Sequence, residues 1–166
     1  MTGDLLPAKV LATHTIANVS ETLAEKLGLP PEYRSIGIIT ADSDDVTYCA
    51  LDEATKAAAV EVVYGRSLYA GAANASTKLA GEVIGILAGP NPAEVQSGLR
   101  SCVDFMESGV GFRSANEDDS VIYFAHTVSR TGSYLSKTAG VKEGEALAYL
   151  IAPPLEAVVG LDEAMK

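Results

Sequence analysis

Tryptophan is absent from this chain, and aromatic residues of every kind make up only 6% of it. Its core must therefore be assembled from Ala, Val, Ile and Leu, which the 48% apolar content can supply. Basic residues are scarce too, 12 against 22 acidic, and the net charge of −10 gives a field that repels nucleic acid and anionic membranes and draws cations. Cys49 and Cys102 are the only thiols, both in apolar helical contexts. No disulfide framework is expected, and a reducing cytoplasm is the natural setting. No uncharged apolar run is long enough to span a bilayer. The opening Met1-Thr2-Gly3-Asp4-Leu5-Leu6-Pro7 has neither the basic nor the apolar region of a signal peptide. The sequons Asn18-Val19-Ser20 and Asn74-Ala75-Ser76 carry no weight in that setting.

What the chain does have is a unit written twice. Ala50-Leu51-Asp52-Glu53-Ala54-Thr55-Lys56 returns as Gly160-Leu161-Asp162-Glu163-Ala164-Met165-Lys166, an offset of 110 (160 − 50). Thr13-His14-Thr15-Ile16 pairs with Ala125-His126-Thr127-Val128 at an offset of 112 (126 − 14), and Leu23 and Gly28 align with Leu135 and Gly140. The apolar run 36–40 matches 147–152. So long a period means duplicated domains rather than a solenoid, whose repeats run to roughly 20–50 residues. The second copy has no counterpart of residues 59–108. The sequence thus predicts a first domain over 1–108 and the front half of a second over 109–166, as in a piece of a longer protein. One apolar face of the second sheet would then stand uncovered, which soluble monomers rarely tolerate. The second half is expected either to associate or to order poorly.

Alternation marks residues 9–17 as a half-buried strand. Ser20 opens a helix that Gly28 and Pro30-Pro31 close. An Ile-rich strand follows over 35–40, then a helix over 46–58 with Asp44 or Asp45 as its N-cap. Next come a strand over 60–64, a long Gly/Ala loop over 66–75, a strand over 82–87, and a helix opened by Asn91-Pro92 and running to about 108. Residues 109–119 read as a polar junction. The second copy gives strand 121–130, helix 133–138, strand 147–152 and helix 155–166. Each copy is an α+β layer, a sheet with helices on one side.

Little here assembles catalysis. The acidic cluster Asp42-Ser43-Asp44-Asp45 is the strongest local feature, and its plain reading is a helix cap with solvated neighbours. The cluster lacks the Gly and the downstream bidentate Glu of an EF-hand, and the His or Cys partners of a zinc site. His14 and His126 hold equivalent places in the repeat and read as paired packing positions. Neither cysteine has a base beside it. Gly71, Gly81, Gly109 and Gly111 match neither a dinucleotide fingerprint nor a P-loop. With no nucleophile, base and oxyanion site in view, an enzyme is disfavoured.

Five longer strings point to a family. They are Ile39-Thr40-Ala41-Asp42-Ser43-Asp44-Asp45-Val46-Thr47-Tyr48, Val62-Val63-Tyr64-Gly65-Arg66-Ser67-Leu68-Tyr69-Ala70-Gly71-Ala72, Ala88-Gly89-Pro90-Asn91-Pro92-Ala93-Glu94, Val128-Ser129-Arg130-Thr131-Gly132-Ser133-Tyr134-Leu135-Ser136 and Ala152-Pro153-Pro154-Leu155-Glu156-Ala157. In order and along the whole chain, they resemble the EutL family of ethanolamine-utilisation shell proteins, which carry tandem bacterial-microcompartment (BMC) domains. The resemblance implies circularly permuted BMC domains and a homotrimer that looks like a hexamer. It implies a tile set among other shell proteins in a polyhedral shell within the cytoplasm, with no nucleic-acid or membrane partner. It also implies a large central pore gated by loops and one small pore in each subunit. The family's small-pore site binds ethanolamine, and the residues that match it are Asp44, Asp45, Glu82 and Phe112. The stretch with Ser67, Tyr69, Gly71 and Ala72 matches the central gating region. Family members can also bind cobalamin near the trimer centre, although no cofactor or metal is required.

Ethanolamine at neutral pH is a small ammonium with one hydroxyl, so carboxylates could supply its charge partner and Phe112 a wall or a cation–π face. Asp45 as a plain helix cap and Phe112 as plain core remain open alongside. A soluble sensor of ethanolamine or cobalamin is the competing reading: it would stop at a closed oligomer, whereas a tile must also associate laterally.

Overall fold

A computed structural model describes residues 1–68 and 82–166. Its strands form two antiparallel sheets of four. One sheet has β1 (Leu5–Pro7), β6 (Gly111–Ser114), β7 (Ile122–Val128) and β8 (Leu147–Ile151) in that spatial order. In the other the order is β2 (Val10–Ile16), β3 (Ser35–Ala41), β5 (Glu82–Gly89) and β4 (Glu61–Leu68).

The duplication is structural as well as textual. Helices α1 (Glu21–Leu27) and α4 (Ser133–Ala139) lie 112 positions apart (133 − 21), and each ends on a left-handed glycine, Gly28 at φ 65° and Gly140 at φ 69°. The antiparallel pair β2/β3 recurs as β7/β8, and α2 (Asp44–Ala57) recurs as α5 (Pro154–Ala164). The helix α3 (Pro92–Glu107), opened by Asn91 Oδ1 accepting the Glu94 N–H at 3.0 Å, belongs to the first copy alone among the described residues.

Several local expectations are corrected by pairing at a distance. The cap position of α2 is Ser43, and Asp44 and Asp45 fall in the first turn instead. The strand expected to stop at residue 64 runs on to Leu68, because β4 pairs with β5 as far as Leu68 opposite Glu82. Ser67 is therefore a strand residue, while Tyr69, Gly71 and Ala72 lie outside the described residues. The junction over 109–119 contains β6, which pairs with the N-terminal β1, Leu6 opposite Phe112. The first residues of the chain thus complete the sheet of the second copy. Nor do the helices share one side. Ile39, Val83 and Leu87 face α2 and α3, whereas Ile36, Ile86 and Ala88 face the other way, where Ala24 and Leu27 of α1 cover them.

One core spans both copies. Ile39, Val46, Leu51, Val83, Leu87, Val95, Leu99 and Cys102 from the first are continuous with Phe112, Phe124, Val128 and Leu135 from the second. Close approach depends on facing glycines, Gly65 opposite Gly85. A Cβ at Gly85 would stand 2.8 Å from Leu51 of α2, and one at Gly65 2.6 Å from the hydroxyl of Tyr134 on α4. Helices from both copies therefore sink into the same notch.

The polar tie between the copies is Asp52. Helix α4 begins at Gly132, which has no side chain with which to cap it. Asp52 caps it from α2, accepting the Gly132 N–H at 2.7 Å on Oδ2 and the Leu135 N–H at 2.8 Å on Oδ1, in a site where the carboxylate is 1% exposed. Thr55 Oγ1 accepts the Ser133 N–H at 3.2 Å, and Lys56 Nζ donates to the Arg130 carbonyl at 2.9 Å. The repeat equivalents on α5 lack this environment: the side chain of Asp162 is 71% exposed and bridges only to Lys166. Apolar residues follow suit, Leu51 at 0% and its counterpart Leu161 at 56% exposure. Asp52→Ala would leave two buried N–H groups unpaired and is expected to cost about 3 kcal/mol in urea unfolding. Asp162→Ala, the same residue in the other copy, should change stability by less than about 0.5 kcal/mol.

Candidate functional site at the head of helix α2

The end of β3, the beginning of β5 and the end of β4 meet at one edge of the first sheet, with Ala41 opposite Val83 and Val83 opposite Ser67. Just past Ala41 the chain turns into α2. Asp42 steadies that turn by accepting the Lys9 N–H at 2.6 Å, while its own N–H donates to the Lys9 carbonyl at 3.1 Å. Asp44 and Asp45 then occupy the first helical turn, where free N–H groups and the helix dipole favour carboxylates. Asp44 Oδ1 accepts the Asp45 N–H at 2.9 Å. Tyr48 follows one turn later on the same helix. From the second copy, Tyr149 on β8 donates its phenolic proton to Asp45 Oδ1 at 2.8 Å.

This setting is acidic and poorly hydrated. Burial pushes the Asp45 carboxyl up to about 6, the Tyr149 hydrogen bond opposes that, and the charge of Asp44 adds to it. Burial likewise raises the phenols of Tyr48, beside Asp44, and of Tyr149, which already donates to Asp45. No cationic side chain is paired with Asp44 or Asp45 among the described residues. At neutral pH the cluster therefore holds an ionised, half-buried carboxylate whose charge no cation among the described residues answers.

The expected site residues are brought together only in part. Asp44 and Asp45 are neighbours at the helix head. Phe112 reaches them only through intermediaries: its ring packs 5.4 Å from that of Phe124, which stands 5.6 Å from Tyr149. At 3% exposure, Phe112 is a core side chain behind the site. Glu82 lies on the opposite face of the sheet, since alternation along β5 groups it with Ile86 toward α1 and turns Val83 and Leu87 toward α2. Tyr48 was legible, four residues after Asp44 and hence on its side of the helix. Tyr149 was not, being 104 positions from Asp45.

Other candidates resolve into packing. Burial pushes the Cys49 and Cys102 thiols up to about 12, well away from the reactive range. The histidines are not equivalent: His126, on the central strand β7, stacks 5.9 Å from Phe124, whereas His14 is exposed on the edge strand β2. Among the described residues no His/Cys/Asp/Glu group is placed to hold a metal, and no helix is long and apolar enough to cross a membrane.

The BMC domain model matches residues 35–116, from β3 through β6. The bacterial microcompartment shell protein EutL of Clostridium perfringens is 69% identical over 166 residues, covering 100% of this chain and 76% of that one. The chain belongs to the EutL family of bacterial microcompartment shell proteins. A crystal structure of the ethanolamine utilization protein EutL from Leptotrichia buccalis superposes with a TM-score of 0.92 at 68% identity, covering 99% of this chain and 76% of that one. The fold alone is shared with a trimeric bacterial microcompartment shell protein, PduB, at a TM-score of 0.67 and 19% identity, over 83% of this chain and 59% of that one. EutL relatives are structural shell proteins, so the place of this chain is a microcompartment shell and its role is structural rather than catalytic.

The raised Asp45 carboxyl sets the sign of a pH effect. A carboxyl at about 6 in the folded chain, against 3.8 in the unfolded, binds its proton more tightly when folded. That contribution to stability is complete below about 4 and is lost as pH rises to about 6. Asp45→Asn keeps an acceptor for Tyr149 but cannot ionise. Its melting temperature should therefore fall less than that of the wild type between pH 4 and pH 7 in thermal scans.

Proposed function

We propose that this shell protein works as a trimeric, hexamer-like tile with a gated central pore, and that each subunit has a small pore where Asp44 and Asp45 bind ethanolamine as its ammonium. The observation that carries the reading is the half-buried Asp45 carboxyl in the first turn of α2, beside a second carboxylate, with no cationic side chain paired to either among the described residues. An ammonium about 4 Å from a carboxylate gains on the order of 4 kcal/mol at an effective dielectric near 20, before its desolvation is subtracted. That suits weak and reversible binding of a passing metabolite. The family resemblance supports the choice of ethanolamine.

Gating of the central pore rests on the composition of the stretch that begins at Ser67, whose Tyr69, Gly71 and Ala72 combine one bulky polar plug with small neighbours. Ethanolamine can bias such a gate only by as much as its affinity differs between the open and closed forms.

Calorimetry with ethanolamine, on wild type and on Asp45→Asn, tests the site. Asp45→Asn should weaken binding at least tenfold, and unchanged affinity would remove Asp45 from it. Ethanolamine should also raise the melting temperature of the wild type more at pH 8 than at pH 5, because Asp45 is ionised only above about 6. Sedimentation of the same samples should show a trimer.

A further inference from the structure

The joint between the two copies has two sides, and the chain carries an unmatched counterpart of each. Inside the chain, the head of α4 packs on α2, where Leu51 and Leu135 are both buried. The repeat gives α1 the place of α4, and α5 the place of α2. Yet Leu23, the counterpart of Leu135, and Leu161, the counterpart of Leu51, both stand exposed, as do Val158 and Val159 on the same helix as Leu161. Each surface is thus half of a contact whose finished form is already present in the molecule. The contact joins unlike surfaces, so between molecules it runs head to tail, and contacts of that kind close into rings when their rotation allows.

We infer that a second copy of this chain docks the head of its α1 on the flank of α5, and that Ser20 keeps this joint looser than the internal one. The inference rests on the trimer proposed above and names the contact that builds it. Ser20 stands where the internal joint has Gly132. A Cβ at Gly132 would collide with Thr55 Oγ1 and lie 2.7 Å from the backbone carbonyl oxygen of Asp52. Ser20 carries that Cβ, so α1 cannot settle as deeply on α5. Ser20 Oγ also accepts the Leu23 N–H at 3.3 Å, the counterpart of the Leu135 N–H that Asp52 accepts. The counterpart of Asp52, Asp162, is therefore not needed as a cap, and its exposed side chain pairs with Lys166. Between molecules the apolar contact is kept and the buried capping carboxylate is given up. That makes the joint between chains separable, whereas the internal one is locked.

The test is sedimentation equilibrium on the full chain over a concentration series. Wild type should assemble reversibly. Leu161→Glu, which puts a charge at an already exposed position, should weaken assembly at least tenfold and leave the melting temperature of the dissociated chain unchanged. Ser20→Gly gives α1 the head that α4 has, and it folds because glycine is close to serine as an N-cap. It should assemble about tenfold more tightly, as the partner's Asp162 takes the N–H groups freed at positions 20 and 23. Asp162→Ala should be silent in the wild type and cancel the gain in the Ser20→Gly background. No gain from Ser20→Gly, or a gain that survives Asp162→Ala, would overturn the role of Ser20. Unchanged assembly of Leu161→Glu would overturn the docking of α1 on α5 while leaving the trimer in place. If wild type does not self-associate at any concentration, the trimer itself fails, and this inference with it.

Discussion

The two halves of this chain are held as one body by a carboxylate that serves a helix other than its own. Asp52 projects from α2 to cap α4, in surroundings so dry that its charge is met by two backbone N–H groups and by the ammonium of Lys56, 3.6 Å away. The glycine at the start of α4 makes this dependence complete, because α4 has no cap of its own. Helix α1, its repeat partner, is self-sufficient: Ser20 Oγ accepts the Leu23 N–H. One helix of the pair is thus autonomous and the other borrows its cap. That difference turns two similar units into an ordered pair with a defined contact between them.

The acidic site follows the same logic. Its carboxylates come from the first copy, but the phenol that fixes Asp45 comes from the second, and the aromatic packing of Phe112, Phe124 and Tyr149 backs it from that side. Asp45 is neither a surface cap nor a salt-bridged core residue. It is held between the copies, half-buried and hydrogen-bonded to Tyr149, and burial makes it hold its proton more tightly than an ordinary carboxyl.

Much of this was legible because repetition is a property of sequence. The 112-residue spacing of α1 and α4, their terminal glycines and the paired strands all follow from matching strings. So do the elements of the first copy, whose apolar periodicity and turn residues agree with their final structure. What escaped reading was decided by partners far along the chain. β6 looked like linker because only the N-terminal β1 makes it a strand. β4 outran its expected end because β5 supplied hydrogen bonds to a stretch of small residues. The head of α2 was read as an acid-capped helix, yet Ser43 took the cap position. In the site itself, Asp44 and Asp45 could be named from their cluster and from the family strings. Tyr149 could not, and neither could the face on which Glu82 lies, which only the register of β5 decides.

The notch formed by Gly65 and Gly85 bears on how this architecture can be rearranged. Two strands of one repeat give up their side chains there so that Leu51 of the same repeat and Tyr134 of the other can share the floor. A joint of that kind is not modular. Moving one repeat into a different shell protein would transplant half of a socket, with a hollow where the missing tyrosine belongs. The two repeats are best treated as a single part when new shells are engineered, and the glycine pair shows where any cut between them would have to be repaired.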